Sequence, residues 1–254
     1  MTDKDEKAPV YVLGVPFDPV TPDEAVGIIT SALKGDGFFA VVTPNPTMIM
    51  AAQREPGLAR AIKSADLRLA DGVGVVDAAR RAGTPLPARV TGVDTGRAVL
   101  ETAARNGTPV WLLGGKAGVA EEAAARLMRE LPGLTVAGTA DGYFEEEDSA
   151  ELIGRITAAG TELLLVCLGS PRQEIWVREH AAELSGVRVA MTLGGSLDVW
   201  SGNARRAPGL LRRLKLEWLW RMCSQPRRFA FLPDMIKFRL KTGRHRGGSS
   251  EGDL

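Results

Sequence analysis

The 254-residue chain holds only two cysteines, two histidines and two tyrosines. Cys167 and Cys223 are too few to staple a fold of this size and lack metal-ligand spacing, so they read as ordinary reduced thiols. His180 and His245 lie far apart with no His-Glu-x-x-His neighbourhood, which argues against zinc chemistry. No uninterrupted apolar stretch approaches the ~20 residues needed to cross a bilayer. Charged residues make up 25% of the chain and the mean hydropathy is −0.04. The opening Met1-Thr2-Asp3-Lys4-Asp5-Glu6-Lys7 has neither the basic start nor the apolar run of a secretory signal, so the expected location is the cytoplasm. Internal repeats are absent as well.

What is present is a chain that is 44% apolar, enough to fill the core of one large α/β domain or two small ones. The net charge of +1 conceals a division. Residues 1–204 carry 19 Lys+Arg against 27 Asp+Glu, a net of −8, and residues 205–246 carry 13 against 2, a net of +11; the last eight residues add −2. An acidic globule with a basic C-terminal segment suits an anionic partner. Trp218, Trp220, Met222, Phe229, Phe231, Met235, Ile236 and Phe238 are interleaved with the arginines of that segment. Basic amphipathic helices over Gly209–Leu216, Glu217–Gln225 and Arg227–Lys241 fit an anionic membrane surface, although Glu217–Met222 also reads as a helix laying its tryptophans on the core. The expected division is a catalytic core over 1–203, a basic helical appendage over 204–246 and a disordered tail over 247–254.

Short β-branched runs alternate with alanine-rich helical patterns. Strands are expected at Val10–Val15, Phe38–Val42, Asp66–Ala70, Pro109–Leu113, Leu134–Gly138, Glu162–Leu168 and Val187–Leu193. Helices are expected at Asp23–Lys34, Pro46–Ala65, Gly72–Ala82, Asp94–Arg105, Gly118–Leu131, Ser149–Ala159 and Pro171–Leu184. Short strands joined by helical crossovers give an α/β, Rossmann-like, mostly parallel sheet with helices on both faces.

Ligands of such sheets bind beyond the carboxyl ends of the strands, so the segments after each strand hold the candidate chemistry. Gly114-Gly115, Gly169-Ser170 and Gly194-Gly195 are candidate phosphate or nucleotide loops, since glycine admits close backbone approach and helix N-termini present N–H groups. Taken singly each also reads as a tight turn: Gly114-Gly115-Lys116 lacks P-loop spacing, and Gly72-Val73-Gly74 lacks the third glycine of a dinucleotide turn. Asp71 ends a strand before a glycine and reads either as a general base or as an N-cap. Thr43 and Asn45 offer neutral donors and acceptors to a sugar, or cap the helix that begins at Pro46. Gln173 and Arg172 lie at a first helical turn, where the dipole favours phosphate and an arginine can clamp it. Asp198 is a ribose or uracil partner, or another turn aspartate. The one Asp-x-Asp sequence, Asp3-Lys4-Asp5, sits at the N-terminus, and Glu145–Asp148 reads as a solvated loop. No metal site is expected.

Eight blocks in order over residues 10–240 carry a family resemblance. They are Thr43-Pro44-Asn45, Ala70-Asp71-Gly72-Val73-Gly74-Val75-Val76, Arg89-Val90-Thr91-Gly92-Val93-Asp94, Leu112-Leu113-Gly114-Gly115-Lys116, Asp141-Gly142-Tyr143-Phe144, Leu168-Gly169-Ser170-Pro171-Arg172-Gln173-Glu174, Gly194-Gly195-Ser196-Leu197-Asp198, and Arg205-Arg206-Ala207-Pro208 through Leu216–Arg221 to Pro226-Arg227-Arg228. In these the chain resembles the WecG/TagA/CpsF family of bacterial glycosyltransferases, glycosyltransferase family 26. The resemblance implies inverting, metal-independent transfer of a sugar, N-acetylmannosamine or its uronic acid and in some members glucose. The donor is a UDP-sugar and the acceptor a polyprenyl-diphosphate-linked saccharide, in the synthesis of surface polysaccharides or wall polymers such as teichoic acid. It implies catalytic roles for Asp71, as base, and Thr43, and substrate contacts for Asn45, Arg89 and Gln173, to which the reading of the residues alone adds Asp198. Arg221 and Arg228 of the appendage would neutralise the diphosphate, at the inner face of the cell membrane. Many relatives carry a further arginine where this chain has Phe231. No cofactor is implied, nucleic acid is not an expected partner, and a homo-oligomer stays open. The competing readings from other classes are a nucleotide-binding regulator and a nucleic-acid-binding module built on residues 205–246.

Overall fold

The computed structural model describes residues 8–204, 208, 220 and 226–244. Where one strand was expected over Val10–Val15, the chain forms a hairpin of β1 (Val10–Val12) and β2 (Val15–Phe17). The reason lies in the Leu13-Gly14 turn: both residues take positive φ, 49° and 79°, the backbone twist that tight hairpins require. The hairpin stays outside the main sheet.

That main sheet has six parallel strands: β3 (Phe39–Val42), β4 (Leu67–Arg68), β5 (Pro109–Gly114), β6 (Thr135–Ala140), β7 (Leu163–Cys167) and β8 (Val189–Thr192), in the spatial order β4-β3-β8-β7-β5-β6. Its inner strands β5, β7 and β8 are largely buried and apolar toward both faces, as a doubly covered parallel sheet demands. Along β7, Leu163, Leu165 and Cys167 enter one core cluster while Leu164 and Val166 enter the opposite one. Burial pushes the Cys167 thiol up to about 12, so it acts as a small apolar side chain. Across β5 and β6 a register shift at Val110/Trp111 lays the Trp111 ring over Gly138, where an added Cβ would fall 2.1 Å from the ring. The β4 edge is closed by Asp18, whose carboxylate accepts from the Arg68 backbone N–H at 2.7 Å and from its guanidinium at 2.7 Å.

Ten helices are described: α1 (Pro22–Ala32), α2 (Pro46–Ala52), α3 (Pro56–Ser64), α4 (Val73–Arg81), α5 (Gly92–Asn106), α6 (Val119–Glu130), α7 (Ser149–Ala158), α8 (Arg172–His180), α9 (Ser196–Ser201) and α10 (Leu232–Arg244). The single helix expected over Pro46–Ala65 is two, because Pro56 has no N–H and pushes Glu55 into an extended conformation. The turn Gly194–Gly195 leads into α9, a helix the sequence pattern does not mark. The expected helix over Arg227–Lys241 is a 3-10 turn, Pro226–Phe231, followed by α10. The helices expected over Gly209–Leu216 and Glu217–Gln225, and the tail 247–254, lie outside the described residues.

Helix α10 packs on α2 and α4, and its Phe238 is buried among Met48, Val75 and their neighbours. Arg54 grips Asp234 with two hydrogen bonds of 2.9 and 2.8 Å, and this pairing holds the Asp234 carboxyl below the usual carboxylate range. A Cβ on Gly74 would lie 3.0 Å from Pro46 Cγ and 3.6 Å from Phe238 Cε1, so α2, α4 and α10 meet without a gap.

Candidate active site at the carboxyl tips of the sheet

The tips of β4, β3 and β8 are roofed by the first turn of α5. Thr91 caps that helix, accepting from the Asp94 N–H at 3.3 Å and donating to the Asp94 carboxylate at 2.6 Å. Gly92 follows where space is tight: a Cβ there would sit 3.2 Å from Thr43 Oγ1 and 3.3 Å from Leu193 Cδ2, so either neighbour would have to give by a few tenths of an ångström. Asp71 reaches the same turn from β4. One carboxylate oxygen accepts from the Gly92 N–H at 3.4 Å and the other lies 3.5 Å from the Arg89 guanidinium. Asp71 does not cap α4, whose N-cap is Gly72 with no side-chain bond, so the capping role that competed for it falls away. Asp71 and Arg89 are each about a quarter exposed, at 23% and 24%. The structure thus gathers a carboxylate, a guanidinium and a helix N-terminus at one solvent-reachable corner.

Thr43 adjoins that corner from β3. It is buried, and its hydroxyl donates to the Thr192 carbonyl at 3.1 Å, leaving acceptor capacity beside Gly92. Asn45 caps α2: its Oδ1 accepts from the Thr47 and Met48 N–H groups at 3.0 and 3.2 Å and from the Thr47 hydroxyl at 2.6 Å. The capping reading of Asn45 therefore holds for its oxygen, and its NH2 is the group left for a ligand.

Farther along the tips the loops are tied to the protein itself. Gln173 is 2% exposed, and its Oε1 accepts from the Gly169 N–H at 3.2 Å and the Gly194 N–H at 3.0 Å. Those two amides, expected to face phosphate, are held by one side chain. The Gln173 NH2 in turn donates to Glu174 at 2.5 Å. Arg172 donates to the Gly142 carbonyl at 2.6 Å and to the Phe144 carbonyl, with its guanidinium 4.3 Å over the Phe144 ring. The clamp expected of Arg172 thus grips a loop. Gly114 is needed for packing, because a Cβ there would meet the Cys167 carbonyl at 2.3 Å, and Gly115 donates to that carbonyl at 3.3 Å. Ser170 and Gly195 are exposed, while Asp198 is half-buried in the first turn of α9. Arg221 lies outside the described residues, and of Arg228 only the backbone, in the 3-10 turn, is described.

Glu174 is a buried carboxyl that no sequence motif singled out. Desolvation pushes it up to about 7, against the pull of neighbouring donors of which Gln173 is the strongest. Tyr143 belongs to the Asp141–Phe144 block, with no role assigned to it by the sequence. It projects from the loop after β6, 76% exposed, over a shallow cleft of about 390 Å³ shared with Phe144, Glu145, Glu146 and Arg172. Among the described residues no three His, Cys, Asp or Glu side chains gather in a metal-binding group. Of the run Glu145–Asp148, Glu146–Asp148 forms a 3-10 turn before α7 capped by Glu145, with Glu146 3.0 Å from His180 Nε2.

This layout can be set beside known proteins. The glycosyl transferase WecG/TagA/CpsF family model matches residues 10–249. The chain belongs to that family. It is 34% identical over 218 residues, 86% of this chain and 83% of the other, to the N-acetylglucosaminyldiphosphoundecaprenol N-acetyl-beta-D-mannosaminyltransferase of Bacillus spizizenii strain W23. This glycosyltransferase therefore carries its family's blocks at the tips of its strands: the Thr43, Asp71 and Arg89 blocks meet at one corner, whereas the Gly114 and Gly142 blocks lie toward the far edge. With strands about 4.8 Å apart, β5 stands about 14 Å from β3, so the two groups of blocks lie well apart along the row of strand tips. No described helix is long and apolar enough to cross a membrane.

Proposed function

We propose that this glycosyltransferase moves a sugar of the N-acetylmannosamine type, with inversion and without a metal, from a UDP-sugar to a polyprenyl-diphosphate-linked saccharide. The work is done at the cytoplasmic face of the cell membrane, for a surface polysaccharide or wall polymer. The observation that carries the reading is the corner where Asp71 stands reachable from solvent, braced by Arg89 and the Gly92 N–H. Inversion needs a single base: the Asp71 carboxylate takes the proton of the acceptor hydroxyl as that oxygen bonds the anomeric carbon, and the bond to UDP breaks on the opposite face. Thr43 and the Asn45 NH2 orient the sugars. Charge developing on the departing diphosphate calls for cationic groups. Arg89 supplies one from the core and Arg221 and Arg228 supply others from the appendage. Gln173 acts here by setting the Gly169 and Gly194 loops, and Asp198 and Ser170 face the nucleotide.

A GlcNAc-bearing acceptor is supported by the name of the Bacillus relative. Membrane contact is supported by the outer side of α10, where Ile236 and Leu240 are 53% and 60% exposed, and by Phe229 and Phe231, 52% and 48% exposed. Lys237 and Arg239 are interleaved with them, a pattern suited to anionic lipid. The test is UDP release from UDP-ManNAc, UDP-ManNAcA, UDP-GlcNAc and UDP-glucose, with a prenyl-diphosphate-GlcNAc acceptor in vesicles. Acceptor-dependent release fastest with UDP-ManNAc is expected. Fastest release from UDP-glucose would turn the reading to a glucosyltransferase, and release that ignores the acceptor would overturn it.

A further inference from the structure

Among the polar groups of the strand tips, one carboxyl has no part in the chemistry just described. Glu174, 2% exposed, lies in the first turn of α8 beneath the β7 and β8 tips. Its Oε1 takes the Gln173 NH2 at 2.5 Å, and its Oε2, also buried, makes no hydrogen bond of ordinary geometry. A buried glutamine amide can sit in either of two flips, and a wrong flip would turn its NH2 toward two backbone N–H donors. An acceptor at Glu174 selects the flip that leaves Gln173 Oε1 facing the Gly169 and Gly194 amides. That single oxygen then sets the separation of two loops on adjacent strands, one of which continues into α9 and Asp198.

We infer that Glu174 is a positioning residue of the transferase: it acts through Gln173 to hold the Gly169 and Gly194 loops at the spacing the transition state needs. It touches neither donor nor acceptor. This inference rests on the proposed site at the strand tips. Small misplacements of catalytic geometry slow the chemical step more than they weaken binding.

The test compares three variants of the full-length protein, each first shown to be folded by its melting temperature. Glu174→Met keeps the volume but removes the acceptor. Gln173→Glu sets two carboxyls face to face. The double variant Gln173→Glu/Glu174→Gln exchanges the two groups and restores a donor–acceptor pair with an oxygen still facing both glycine amides. Amide hydrogen exchange at Gly169 and Gly194 reads the clamp without any substrate. Both amides are expected to exchange at least about tenfold faster in each single variant and to regain protection in the double. In the acceptor-dependent UDP-release assay, kcat of the single variants is expected to drop about 10- to 100-fold with KM changed less than about threefold, and to recover in the double. If Glu174→Met does not fold, Gln173→Glu and the double variant decide between the same outcomes. Unchanged exchange at both glycines would overturn the inference, as would a loss confined to KM or wild-type kcat despite an opened clamp. If the wild type releases no UDP with any donor, the proposed function fails, while the exchange measurements still decide whether Glu174 holds the loops.

Discussion

The two ends of the row of strand tips differ in what their polar groups are bonded to. At β4 and β3, Asp71 and Arg89 face one another at 3.5 Å, each about a quarter exposed, under a helix N-terminus. At β7, β5 and β6, the loops are stitched by Gln173, Arg172 and glycines whose Cα atoms press on neighbouring backbone. The first end has charge to offer a ligand, and the second uses its hydrogen bonds to stay put. A family motif can therefore mark either a group that does chemistry or a group that fixes the frame, and only the bonding pattern tells them apart.

The comparison breaks most visibly at Asp71. Asp71→Asn keeps the shape and removes the proposed base, so kcat is expected to fall about 10²- to 10⁴-fold, with UDP affinity by calorimetry within a few fold. Retained turnover would move the base elsewhere. Next comes Glu174, through pH. Its folded value of about 7 lies above the ordinary 4.5, so between those limits the folded protein keeps a proton that the unfolded chain releases. Stability from this group is complete below pH 4.5, declines as pH rises across the window and is lost above about 7, a change of about 3 kcal/mol. Glu174→Gln is expected to flatten that segment of a denaturation-versus-pH series.

On the framework side, Gly138→Ala drives a methyl group into the Trp111 ring and is expected to cost about 1–3 kcal/mol by chemical denaturation. Gly92→Ala tests the working corner, since its methyl would crowd Thr43 and Leu193 at 3.2–3.3 Å. A loss of about 1 kcal/mol, seen as a several-fold drop in kcat/KM with Tm nearly unchanged, is expected there. The smallest effect belongs to Asp234→Asn. With its carboxyl held low by Arg54, Asp234 helps α10 stay docked above the usual carboxylate range and ceases to as pH falls through its lowered value. In the variant, faster amide exchange in α10 is expected with Tm within about 2 °C.

Much of this was legible in the residues. The alternation of short apolar runs with helical patterns announced the parallel sheet, and Asp71, ending its strand before glycine, pointed to the corner proposed above as the site. Two kinds of feature escape a reading by hydrophobic pattern. Hairpin geometry at Leu13-Gly14 and the break at Pro56 are local backbone events that the pattern spans without noticing, although a proline inside a helical run is itself a readable stop. The direction of a side chain at a first helical turn is a tertiary fact: Arg172, Gln173 and Glu174 are adjacent in sequence yet grip a loop, bridge two glycines and lie buried, respectively. Nothing in their order distinguishes a phosphate ligand from a brace. Tyr143 carried a readable signal, an aromatic after Asp-Gly at a strand end, whose 76% exposure separates it from the Phe144 beside it.

Phe238, wedged where Gly74 and Pro46 meet, ties an oily, basic helix to the opening turns that follow Asn45 and Asp71. A force applied to that helix from outside has little padding to cross before it arrives at the turns after Asn45 and Asp71. Under the membrane contact and the site proposed above, anchorage and turnover share one joint, and a change that loosens the grip on the surroundings should be felt as a change in rate.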